Sequence, residues 1–141
     1  MDLTYLQREL ESRPLDEGVR AVVPKVVRWL EGLSEDSAQF ITVRRVVDRL
    51  DISPEQTDAV RATLFLLTQL PKGILSKGVY WEDENGRIRE LEPELYAEAL
   101  ETGILAHPDH GTEHHDFMEW VQPFFWVERE VFHTFENGNG V

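Results

Sequence analysis

The chain of 141 residues contains no cysteine. This absence excludes disulfide bonds, thiol nucleophiles and cysteine-based zinc sites from its chemistry. The sequence also has no run of about 18 apolar residues, the length that a membrane-spanning helix requires. Its first ten residues form a mixed amphipathic pattern and lack the charged-then-apolar order of a secretion signal, so we expect a cytoplasmic protein.

Motifs for catalysis are also missing. There is no G-x-S-x-G nucleophile elbow, no H-E-x-x-H pair and no glycine-rich phosphate loop or dinucleotide fingerprint. Acidic residues are abundant, but no two of them form a pair with an evident acid–base role. Ser53 lies directly before Pro54 and is better explained as a helix cap than as a nucleophile. We therefore expect a protein that is not an enzyme and needs no cofactor.

Basic residues are scarce in the C-terminal part of the chain. Residues 1–91 contain 16 acids and 13 bases, whereas residues 92–141 contain 11 acids and one base, Arg129. Most of the total net charge of −13 therefore lies after residue 91. Such an acidic surface is repelled by the phosphates of nucleic acids unless a basic patch is segregated from it.

Three helices are predicted in the first half of the chain. The first begins near Asp16 and has valines at helical spacing, and Pro24 within it should kink the helix or mark its true start. Thr42 can cap the second helix, and Ser53 can cap the third. The third helix should run to about Leu70.

A β-hairpin is predicted after these helices. Residues 74–81 and 87–91 are rich in β-formers, and Asn85-Gly86 between them favours the positive φ angles of a tight turn. Residues 38–41, which precede the second helix, are predicted to form a short strand that pairs with this hairpin.

This order of elements over residues 16–91 resembles the winged helix-turn-helix family. The resemblance rests on element order and turn chemistry, and no motif indicates a subfamily. It implies a mainly α fold with a small β-hairpin, in which a winged-helix-like domain (15–103) follows an N-terminal helix (1–14) and precedes an acidic, aromatic C-terminal extension (104–141). Winged helices serve both DNA binding and pure protein contact, so the resemblance leaves both uses open.

Aromatic residues are concentrated in residues 117–135, which contain five Phe and two Trp. A solvated segment rarely exposes so many, so this one should either pack on the domain or bind another chain. Helical spacing fits its first part, and either a helix or a strand fits the part after Pro123. We slightly favour contact with a basic, apolar protein surface or with a second copy. The expected contact residues are Trp120, Phe124, Trp126 and an outward-facing Phe65, for which coverage by the aromatic segment is the alternative.

The preferred function is therefore a protein-interaction module, such as an adaptor or a regulatory subunit of a larger complex. A DNA-binding transcriptional regulator is the first alternative, since arginines occur in the turn helices and the hairpin, where a winged helix would contact phosphates. Glu55 and Asp58 at the start of the third helix oppose that use. The candidate DNA contacts are Arg44, Arg45, Arg61, Arg87 and Arg89.

Metal binding is the second alternative. Histidines are clustered beside Asp116, and imidazole with carboxylate suits zinc or a similar divalent ion. Their spacing matches no closed structural zinc site, so no metal is the preferred interpretation. The weak candidate ligands are His107, His110, His114 and His115.

Overall fold

A computed structural model describes residues 2–70, 74–107 and 111–132. Four α-helices precede the first strand, and the predicted combination of a larger helical part with a small sheet is confirmed. No helix in the described ranges is long and apolar enough to cross a membrane. The helices are α1 (Thr4–Glu11), α2 (Glu17–Glu31), α3 (Val43–Arg49), α4 (Thr57–Gln69) and α5 (Pro93–Thr102). The strands are β1 (Leu75–Glu82), β2 (Ile88–Leu91), β3 (Leu105–Ala106), β4 (Glu113–His114) and β5 (Val121–Val127).

The chain divides into two compact units. The helical unit comprises residues 1–77 and 125–141, and the acidic unit comprises residues 78–124. Strands β1 and β5 each run from one unit into the other, in a sheet with the order β2-β1-β5. These boundaries differ from the predicted division after residues 14 and 103, because the C-terminal strand supplies buried residues to both units.

The core of the helical unit is built mainly on α2. Asp16 caps this helix by accepting a hydrogen bond from the Val19 N–H at 2.9 Å. The helix continues from Glu17 to Glu31 with Pro24 inside it, so the hypothesis that Pro24 marks its start is wrong. The apolar face predicted from the valine spacing is buried, together with Leu64 and Leu67 of α4.

The predicted cap at Thr42 is confirmed, whereas Ser53 caps a short 3-10 turn and not α4 itself. The Thr42 side chain accepts a hydrogen bond from the Arg45 N–H at 3.1 Å and begins α3. The Ser53 hydroxyl accepts one from the Glu55 N–H at 3.4 Å. The residues after Ser53 form a 3-10 turn, Pro54–Gln56, before α4 begins.

The hairpin between β1 and β2 is present, but its predicted turn geometry is wrong. Gly86 has a positive φ of 79°, whereas Asn85 does not share it. The Asp83 carboxylate accepts hydrogen bonds from the Asn85 and Arg87 N–H groups at 2.9 Å each, and the Asp83 carbonyl accepts one from Gly86. These bonds close a longer turn around Asp83, in which only the glycine needs the left-handed conformation.

The segment before α3 pairs with β5, so its predicted pairing with the hairpin is wrong. Ile41 and Phe125 exchange two backbone hydrogen bonds of 2.7 and 2.8 Å, and the Val127 N–H donates to the Ala38 carbonyl. Phe125 and Val127 are fully buried in the helical unit. The strand alternative for residues after Pro123 is thus confirmed, and part of the aromatic extension is core.

Candidate functional site

The acidic unit has a small core of its own around Trp81. Trp81 is 2% exposed and packs with apolar residues from β2, α5, β3 and the start of β5. Local signals fix these elements: Pro93 occupies the first turn of α5, and Gly103 ends it with a φ of 79°. The register of β1 against β2 places Trp81 opposite Arg89, next to the hairpin turn.

A cavity of about 290 Å³ lies beside Trp81 within this unit. We refer to it as the tryptophan cavity. Its wall combines two indole rings, two imidazole rings and two carboxylates with one amide and one hydroxyl group. The lining residues are Trp81, Trp120, His107, His114, Asp83, Glu84, Asn85 and Thr112.

The rings of the tryptophan cavity pack around Trp81. Trp120 stacks on it with a centroid distance of 6.3 Å and an interplanar angle of 15°. His107 meets it edge-on at 5.3 Å, and His114 lies tilted at 5.1 Å. The Trp81 Nε1 is buried with no hydrogen-bond acceptor among the described residues.

Carboxylates fix the rim of the cavity. The Trp120 Nε1 donates to one oxygen of Asp116 at 3.4 Å, and the His114 Nδ1 lies 3.5 Å from the other. Asp83 is held by the hairpin turn, in which its Oδ1 accepts two backbone N–H groups. Glu84, at the tip of that turn, is exposed. The cavity thus combines a fixed aromatic wall with a negatively charged edge.

Charge is distributed unevenly between the units. The acidic unit contains 12 acids and 2 bases, a net charge of −10, whereas the helical unit contains 15 acids and 12 bases, a net charge of −3. Four large apolar side chains are also exposed in the acidic unit, each by roughly half of its surface. They are Ile88, Leu95, Leu100 and Met118.

Two of the predicted contact residues are not exposed as expected. Phe65 is half-buried, because the Phe125 ring meets it edge-on at 5.2 Å and the Lys77 Nζ lies 5.3 Å from its centroid. The alternative, in which the aromatic segment covers Phe65, therefore holds. Phe124 is 5% exposed and packs edge-on against Tyr80 at 6.1 Å. Trp120 lines the cavity and Trp126 is half-buried in β5.

The candidate DNA contacts do not form one group. Arg44, Arg45 and Arg61 belong to the helical unit, whereas Arg87 and Arg89 belong to the acidic unit. Arg45 donates to the Ser37 and Phe40 carbonyls at 2.7 and 2.8 Å and lies over the Trp29 ring. Burial and the nearby Arg49 lower the pKa of Arg45.

Arg61, the basic residue of the predicted recognition helix, forms an ion pair with Asp58 at 2.9 Å. A neighbouring carboxylate therefore offsets its charge. Arg44 is exposed on α3, and Arg87 and Arg89 are exposed on the hairpin. This distribution leaves no continuous basic face along α4.

The histidines separate into two kinds. His107 and His114 line the cavity with ring centroids 6.1 Å apart, and His115 is exposed. His110 lies outside the described residues. Within residues 2–70, 74–107 and 111–132, no three His, Asp or Glu side chains are grouped so as to hold a metal ion.

The sequence singled out His107, His114 and Trp120 but missed Trp81, Asp83 and Glu84 as residues of the same site. Trp81 enters the sequence prediction only as the last residue of the strand 74–81. No local sequence pattern predicts that these residues share one site, because Trp120 and the histidines are distant in sequence from the hairpin that they contact. No family model, curated protein or solved structure matches this chain.

Proposed function

We propose that this protein is a non-enzymatic interaction module, an adaptor or regulatory subunit, that binds a basic protein partner through residues 78–124. The observation that carries the proposal is the net charge of −10 on a unit that also has a cavity and four exposed large apolar side chains. Interfaces combine apolar anchors with a polar rim, and charge complementarity speeds encounter and selects partners.

We further propose that the helical unit is winged-helix-like, with the acidic unit in the place of the wing. Helices α2, α3 and α4 precede β1, and Ile41 bridges to Phe125 of β5, which neighbours β1 in the sheet. On this interpretation the supporting hairpin of the winged helix is β1–β5 rather than β1–β2. Residues 83–120 then form an enlarged connection between its strands.

Binding of DNA and of metal has less support. Arg45 donates to two backbone carbonyls and Arg61 is paired with Asp58, so neither cation is fully available to neutralise phosphates. The exposed hairpin arginines lie in the unit whose net charge is −10. A transcriptional regulator would have to overcome that repulsion, and a metal site would require a ligand set that the described residues do not supply.

A binding comparison tests the proposal. A lysine- and arginine-rich peptide and a random DNA duplex are titrated with the protein at low and at physiological salt, with fluorescence anisotropy as the measurement. We expect the peptide to bind, with affinity that falls as salt rises, and the duplex to remain free. Submicromolar duplex binding at physiological salt that is lost in the double variant Arg87→Ala, Arg89→Ala would favour the DNA-binding regulator instead.

Two charge-reversal variants locate the surface. Changing Glu94, Glu98 and Glu101 of α5 to Lys should weaken peptide binding strongly. The matched control changes three exposed acids of the helical unit, Glu11, Asp48 and Glu55, to Lys and should have a smaller effect. Equal losses in the two triple variants would show that total charge, and not residues 78–124, determines binding.

A further inference from the structure

We infer that the tryptophan cavity receives one arginine side chain of the partner, an inference that rests on the proposed function and assigns its central contact. The inference rests on groups that line the same cavity. They are the enclosed indole of Trp81, the half-exposed indole of Trp120, and the carboxylates of Asp83 and Glu84 in the hairpin turn. The arginine would stack on Trp120 while its N–H groups face Asp83 and Glu84.

The size of the cavity suits the end of a single side chain. Its volume of about 290 Å³ lies at the lower limit of the roughly 300–1,000 Å³ that drug-sized ligands occupy. Trp81 is enclosed by its neighbours, whereas Trp120 is half-exposed, so Trp120 is the ring that an incoming group can reach. A large cofactor would have to displace part of this wall.

The chemistry of the wall favours a cation. The face of an indole ring attracts positive charge, and the carboxylates of Asp83 and Glu84 add direct opposite charge. The surrounding unit, with its net charge of −10, raises the local concentration of basic groups. An anionic ligand would meet unfavourable charge at the hairpin edge.

The shape of the wall favours arginine over lysine. A guanidinium group is flat, weakly hydrated and able to stack on a ring while donating several hydrogen bonds in its plane. The compact ammonium of lysine keeps its water more strongly and does not stack. Asp116 binds the Trp120 Nε1 and lies against His114, so the ring is oriented before binding and less ordering is required.

Short basic peptides that are identical except for one central residue provide the test. The central residue is arginine, lysine or citrulline, which is the neutral isostere of arginine. The full-length protein is labelled with ¹⁵N, and the indole N–H signals of its four tryptophans are followed by NMR. We expect the arginine peptide to bind most tightly and to shift the signals of Trp81 and Trp120. The signals of Trp29 and Trp126, which do not line the cavity, should stay in place.

A matched pair of variants separates the cavity from general charge. Glu84→Gln and Glu98→Gln each remove one exposed negative charge from the acidic unit, but only Glu84 lines the cavity. Glu84→Gln should weaken the arginine peptide about tenfold, the loss expected for one charge-assisted hydrogen bond. Glu98→Gln should leave the affinity nearly unchanged. Preserved NMR spectra of the free variants check that both are folded.

Two results would overturn the inference and leave the proposed function standing. One is equal binding of the arginine, lysine and citrulline peptides. The other is binding that shifts neither Trp81 nor Trp120 and is weakened equally by both variants. Failure of every basic peptide to bind, including the longer lysine- and arginine-rich one, would instead contradict the proposed function itself.

Discussion

The two units of this chain differ in what they bury and in the charge that they expose. The helical unit buries apolar faces of α1, α2 and α4 with two residues of β5, and its net charge is −3. The acidic unit buries only a small cluster around Trp81 and has a net charge of −10. Small cores provide limited stability, so most of the folding free energy should come from the helical unit. We therefore expect the unit with the larger negative charge to be the less stable of the two.

Truncation after Gly111 should have the largest effect on stability, because it removes residues from the cores of both units. It removes β5, and with it Phe125 and Val127 from the first core and Val121 from the second. We expect the truncated chain to lose cooperative thermal unfolding by circular dichroism, because neither core can close. A truncated protein that stays folded and merely loses a partner would instead make the C-terminal extension an interface.

The neighbours Phe125 and Phe124 provide a sharper test, since they belong to different units. Each substitution to Ala should cost about 3–5 kcal/mol in the unit that buries the ring. Hydrogen exchange should therefore accelerate in α2 and α4 for Phe125→Ala. For Phe124→Ala it should accelerate in β1, whose Tyr80 packs against the Phe124 ring. If both variants accelerate exchange in the same elements, the two cores behave as one.

Substitutions at two helix-capping residues should also destabilise one unit each, but by a smaller free energy. Thr42→Ala removes the cap of α3 in the helical unit and should destabilise it by about 1 kcal/mol. Gly103→Ala forces a side chain into a left-handed position with φ of 79° at the end of α5, at a cost of about 1–2 kcal/mol. Both losses of stability can be measured by chemical denaturation of the full chain, with NMR signals from each unit followed separately. Loss of stability in the opposite unit would contradict the assignment.

The smallest effect is expected at Arg129. Its guanidinium lies 3.1 Å from Glu35 and 3.5 Å from Asp36, and these contacts raise the pKa of Arg129. Exposed ion pairs contribute little and are screened by salt. Arg129→Gln should thus lower the melting temperature slightly at low salt and not at high salt. A drop that persists at high salt would indicate that packing of this side chain matters more than its charge.

Local chemistry was predictable from the sequence, and distant pairing was not. Thr42 and Ser53 accept hydrogen bonds from backbone N–H groups two or three positions away, so their residue types sufficed to predict that both begin a helical segment. The Asn85-Gly86 turn was placed correctly, but its geometry depends on the Asp83 side chain. The bridge from Ile41 to Phe125 joins segments that no local pattern connects.

The candidate site illustrates the same limit. Trp120, His107 and His114 were selected for their residue types, whereas their convergence on Trp81 depends on the packing of α5 and the short strands. Phe65 was assigned to an outward face because helical spacing cannot reveal a ring supplied by a later strand. Periodicity thus predicts which face of a helix is apolar, and not what covers the other face.

The connection between β1 and β5 has a consequence for the order of folding. Pairing these adjacent strands closes the loop between them, which consists of residues 83–120. The entropy lost on closing a flexible loop grows with its length, by about 0.6 kcal/mol for each doubling. If residues 78–124 fold first, the flexible part of that loop shortens and the later closure becomes faster. Phe117→Ala, which removes a ring buried in the small core of that segment, should therefore slow the folding of the helical unit.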